Sequence, residues 1–104
     1  MITQEDIDAF ANMMDVKPQD YSYWVEGKIV TEGETRLVEN TLGLVGEAGE
    51  VADKVKKIIR DNKSIVDEKE DVAKELGDVL WYLAAVARDI GYSLEVIAEM
   101  NIEK

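Results

Sequence analysis

The chain contains no cysteine and no histidine. Without cysteine there are no disulfides, no thiolate nucleophile and no zinc–thiolate site. Without histidine, a ferritin-like di-iron site, built on Glu-x-x-His pairs, is excluded too. Proline occurs once, and apolar residues make up 46% of the chain, which rules out collagen-like or disordered character. No apolar run approaches the roughly 18 residues of a membrane span. Met1 to Asp15 is acidic and lacks the basic-then-apolar layout of a secretion signal. A cytoplasmic location is therefore expected. Positive charge is scarce as well: 12 Lys and Arg stand against 23 Asp and Glu, a net charge of −11. Binding to a nucleic-acid backbone or an anionic membrane needs the opposite sign. A small phosphate ligand stays open, because a bound metal ion inverts the local charge.

What is present is helical periodicity. The 104 residues are read as one domain, 1–104, with a small core for its surface, so a symmetric oligomer is expected. Thr3 caps a first helix over about 4–15, with Ile7, Phe10, Ala11 and Met14 at helical spacing. Tyr21 to Gly33 reads as an irregular connection with helical turns. A second helix spans about 34–61, its stripe made by Leu37, Leu44, Ala48, Val51, Val55, Ile58 and Ile59. A third spans about 67–90, with Val72, Leu76, Val79, Leu83, Val86 and Ile90, and Gly91 stops it. Ser93 caps a short last helix over about 94–104. No strand alternation appears. The fold class is all-α, a helical bundle. The short link between the two long helices makes them antiparallel neighbours.

Two acid pairs lie at the edges of these stripes: Glu47 with Glu50, and Glu75 with Asp78, each at i, i+3. Such neighbours have Cβ atoms about 5–6 Å apart on one face. Packed helices would bring four carboxylates together, and these repel unless a cation holds them. Oxygen-only ligation suits Mg²⁺ or Mn²⁺. Acids on a helix more often form a solvated face, and that reading stays open on spacing alone. Asp71 and Tyr82 extend the acidic face of the third helix.

Gly43, Gly46 and Gly49 recur every third residue, and Gly77 sits between the later acids. Each interior glycine costs about 1 kcal/mol relative to alanine. They signal close backbone approach, a kink, ligand space or tight helix packing. Lys54 and Lys57 can contact phosphate as point charges, or pair with Glu50 and Asp53 at i, i+4. Trp81 and Tyr82 read most simply as core or interface aromatics. Tyr21, Tyr23 and Trp24 can stack on a base or pack onto their own domain.

At these residues the chain resembles the MazG-type nucleoside triphosphate pyrophosphohydrolases, an all-α superfamily that includes dimeric dUTPases and phosphoribosyl-ATP pyrophosphohydrolases. The family pattern is Glu-Glu-x-x-Glu, a spacer, then Glu-x-x-Asp. Leu42 to Val51 matches the first half and Lys74 to Tyr82 the second; the resemblance covers about 34–104. It implies that Glu47, Glu50, Glu75 and Asp78 are Mg²⁺ ligands and catalytic acids. It implies substrate contacts by Lys54 and Tyr82, and by Asn101 and Lys104, which match an Asn-x-x-Lys near the family's C-terminus. Lys57 is a candidate for substrate binding through its charge and not through the resemblance. Two departures stand out. Gly46 replaces the first Glu, and no basic tail follows Lys104.

The implied activity is Mg²⁺-dependent hydrolysis of a (deoxy)nucleoside triphosphate between the α and β phosphates, in a homodimer or homotetramer whose helices complete each pocket. The alternatives are a dUTP/dCTP-specific or phosphoribosyl-ATP relative, a nucleotide or metal sensor without turnover, and a non-catalytic interaction module.

Overall fold

The computed structural model describes residues 18–29 and 33–104. The helix expected over 4–15 lies outside the described residues. Four α-helices follow in chain order: α1, Pro18–Glu26; α2, Gly33–Arg60; α3, Ile65–Asp89; and α4, Leu94–Glu103. Among the described residues there is no strand, so the fold is all-α as the periodicity implied. No described helix is long and apolar enough to cross a membrane.

α1 corrects the expected irregular connection. Aromatic residues and a following Gly27 obscure its periodicity, yet its faces divide sharply. Ser22 and Val25 are buried, while Tyr23 and Trp24 are exposed. Pro18 opens the helix, where a missing N–H costs nothing.

α2 and α3 form an antiparallel hairpin, and their contact is the main one in the fold. The turn between them is a Schellman stop. The Lys63 N–H donates to the Ile58 carbonyl at 2.9 Å and the Asn62 N–H to Ile59 at 3.2 Å. Asn62 takes φ 52°, a left-handed conformation that asparagine tolerates. The same motif ends α3: Tyr92 N–H reaches Ala87 at 2.8 Å, Gly91 N–H reaches Arg88 at 3.0 Å, and Gly91 has φ 85°. Ser93 then caps α4, its hydroxyl accepting from the Val96 N–H at 3.2 Å.

The best-buried cluster lies where α1 and α4 meet the C-terminal half of α3. Val25, Ala84, Ala85 and Leu94 form it, with Tyr21, Ile29, Leu80 and Trp81 packed against them. Small alanines let neighbouring helices approach closely. Full burial of a residue such as Val25 contributes about 1.5–3 kcal/mol. Ser22 adds a polar tie, its buried hydroxyl accepting from the Leu94 N–H at 3.2 Å.

Several residues assigned to the stripes are not buried. Leu37, Ala48 and Ile59 on α2 are exposed, as are Leu76 and Leu83 on α3 and Ile90 just beyond it. α2 carries a second apolar row: Val38, Leu42, Val45, Ala52 and Ile59 are all exposed. At 100° per residue this row lies about opposite the side that meets α3. A single set of i, i+3, i+4 positions thus merged two faces of one helix.

Candidate functional site

The register of α2 on α3 decides which side chains meet. Gly43 lies against the Tyr82 ring, and a Cβ there would overlap three ring atoms. One turn further along α2, Glu47 meets Asp78. Near the other end of the hairpin, Arg36 meets Asp89. In all three pairs the two residue numbers add to the same total, as antiparallel helices of equal rise require.

Carboxylate oxygens of Glu47, Glu75 and Asp78 all lie within 4.8 Å of one another. Glu47 and Glu75 are half-buried and Asp78 is exposed. Desolvation pushes the Glu47 carboxyl above its ordinary value, and the negative charges of Asp78, Glu75 and Glu50 push it further. Among the described residues, no ion pair ties a lysine or arginine to these three acids. Three hard oxygen donors with unrelieved mutual repulsion form a donor set suited to Mg²⁺ or Mn²⁺.

Beside the acids is an open pocket of about 370 Å³, lined by Glu47, Asp78, Trp81 and Tyr82. The two rings stand edge to face, centroids 5.0 Å apart. Trp81, which the sequence placed with core or interface aromatics, therefore also borders the acids. Tyr21 approaches from α1. Burial raises its phenol pKa, and the charge of Asp78 raises it further. Its ring lies 5.7 Å from that of Trp24.

The other expected site residues sit apart from this group. Glu50 is exposed and lies outside the trio, though its charge acts on Glu47. Lys57 is paired with Asp53 at 2.8 Å, which lowers the Asp53 carboxyl and raises the Lys57 ammonium. Lys54 is half-buried and does not line the pocket. Asn101, near the end of α4, and Lys104, just beyond it, are exposed and do not line it either. The glycine expectation divides. Gly43 is a close approach, whereas Gly46, Gly49 and Gly77 face open space.

Fold and site together define an all-α bundle with a carboxylate cluster between its two long helices. The chain belongs to the MazG family: the MazG nucleotide pyrophosphohydrolase domain matches residues 37–104. Among curated proteins it is similar to the Gene 37 protein of Mycobacterium phage L5, 46% identical over 66 residues. That stretch is 62% of this chain and 58% of the phage protein, so the match spans little more than half of the relative's length. No solved structure matches.

Proposed function

We propose that this protein is a nucleoside triphosphate pyrophosphohydrolase. It would cleave between the α and β phosphates to give the monophosphate and pyrophosphate. The observation that carries the reading is the trio Glu47, Glu75 and Asp78, gathered within 4.8 Å beside an aromatic pocket inside the MazG-matched segment.

Glu47, Glu75 and Asp78 would hold Mg²⁺, with Glu50 one turn from Glu47. When bound, the ion would neutralise the polyphosphate and lower the pKa of water. The chain's own residues do the rest. A carboxylate of this group, Glu47 or Glu50, takes the proton of the attacking water, directly or through a second water. The water oxygen attaches to phosphorus, and the bridging oxygen leaves with its electron pair on pyrophosphate. Trp81 and Tyr82 offer flat apolar walls to part of the nucleotide. Lys54 steadies the phosphates, and Lys57 can do so on leaving Asp53. Asn101 and Lys104 are phosphate or ribose contacts on family resemblance alone.

The assembly is a homodimer or a homotetramer. Its support is the exposed row Val38, Leu42, Val45, Ala52 and Ile59 on α2, whose three-and-four spacing suits packing against another helix. The protein would act in the cytoplasm as one domain.

The test is incubation with each of the eight common NTPs and dNTPs plus Mg²⁺, assaying pyrophosphate. Glu47→Gln or Asp78→Asn should abolish release. One observation favours a second reading, nucleotide sensing without turnover. Gly46 stands where relatives carry a glutamate, and nothing lies within 4 Å of where its Cβ would be. Mg²⁺-dependent nucleotide binding with no product would establish that reading. Absence of both binding and product would leave an interaction module.

A further inference from the structure

Three helices are tied together by one arginine. The Arg36 guanidinium, on α2, donates through Nε to Asp89 at the end of α3. Its two terminal nitrogens donate to both carboxylate oxygens of Glu26, the last residue of α1, at 3.1 and 2.5 Å. Asn40, one turn along α2, donates to the second Asp89 oxygen at 3.0 Å. Arg88 lies 3.5 Å from Glu26. The Asp89 side chain is only 2% exposed and that of Arg36 18%.

This network is built rather than incidental. A buried carboxylate is costly without charged partners, and Asp89 has both oxygens bonded. A planar fork can serve two carboxylates on two helices at once, which a lysine ammonium does not reproduce. Glu26 and Arg36 lie outside the MazG-matched residues 37–104, so the network joins a segment beyond that match to the hairpin.

Its position relative to the acids gives it a role. Arg36 precedes Glu47 by eleven residues, and Asp78 precedes Asp89 by eleven. At 1.5 Å per residue, both separations are about 16 Å. The Arg36–Asp89 pair therefore holds the same register that places Glu47 on Asp78. The Glu26 arm seats α1, which carries Tyr21 to where it feels the charge of Asp78.

We propose that Arg36 is a positioning residue for the acidic site: it holds the register of α2 on α3 through Asp89 and the seat of α1 through Glu26. Its consequence for turnover rests on the pyrophosphohydrolase reading, but its geometric part can be measured separately. The cysteine-free chain allows clean spin labelling. One pair, Thr41→Cys with Lys69→Cys, reports the hairpin. Another, Tyr23→Cys with Lys69→Cys, reports α1. All three positions are exposed.

Distances are measured by pulsed electron spin resonance in labelled protein diluted with unlabelled protein. Arg36→Met and Arg36→Lys should shift or broaden both distributions. Glu26→Gln, a milder change at a part-exposed residue, should move only the α1 pair. In folded Arg36→Lys, assayed well below its Tm, kcat should fall about 10- to 100-fold, the scale of a small misplacement at a distance. KM should change much less. Unmoved distances in both Arg36 variants overturn the proposal. So does an unchanged kcat in Arg36→Lys when only Tm has fallen. Should wild-type protein hydrolyse nothing while the distances move as expected, the enzymatic reading fails and the clamp stands.

Discussion

Gly43 and Gly49 occupy one helix six residues apart, yet alanine should act on them with opposite sign. At Gly43 the added methyl would overlap the Tyr82 ring. The helices or the ring must shift, and overpacking of this kind costs about 1–3 kcal/mol. At Gly49 the single chain leaves open space. Gly49 shares the side of α2 that carries Val45 and Ala52, so in monomeric protein helix propensity decides, and alanine should gain about 0.5–1 kcal/mol. Urea unfolding of the two variants measures both. Gly49→Ala destabilising as much as Gly43→Ala would mean that its outward face is covered. The sequence showed four interior glycines but not which faced a neighbour, because spacing carries no register. The same limit applies to the acids. Spacing marked Glu47, Glu50, Glu75 and Asp78 alike, whereas the packing gathers three and leaves Glu50 exposed. Arg36, Asn40 and Asp89 gave no local signal, since their link spans about fifty residues of chain.

At the scale of elements, the stops were the most legible features. Gly91 and Ser93 bracket a turn that their chemistry announces, and the structure places both where expected. Gly91→Ala should cost about 1 kcal/mol, because a side chain is strained at φ 85°, and thermal melts should show the loss. α1 was illegible for a physical reason: nine residues give too few turns for a periodic signal, and its helix is held by tertiary ties. One of these predicts a pH dependence. The hydrogen bond from Arg36 lowers the Glu26 carboxyl below its ordinary value. Its contribution is present above the unfolded value and is lost as pH falls through the lowered one. α1 should therefore undock first in acid. Tryptophan fluorescence reports this through Trp24, once Trp81→Phe has removed the second indole. Glu26→Gln should remove that acid limb.

At the scale of the whole molecule, charge and apolar surface oppose each other. A net charge of −11 resists self-association, while Leu42 and Val45, 65% and 67% exposed, favour it. A row of apolar residues on the side of α2 turned away from α3 is more than scattered surface hydrophobicity. Its spacing is that of a helix-packing seam. On the proposed assembly a second copy covers it, and two like-charged partners then associate more tightly as salt screens them. Light scattering after gel filtration should give about twice the 11.7 kDa chain mass. Raising the salt from about 0.05 to 0.5 M should strengthen that species, since screening lengths shorten over this range. Leu42→Lys with Val45→Lys should yield monomer with its helices intact by circular dichroism, because neither side chain joins the α2–α3 seam. A wild-type chain that stays monomeric at every salt concentration up to about 100 μM would remove the assembly. It would also leave the exposed face of α2 without a partner of its own kind, while the acids of the α2–α3 seam, on the other side of the helix, would be unaffected.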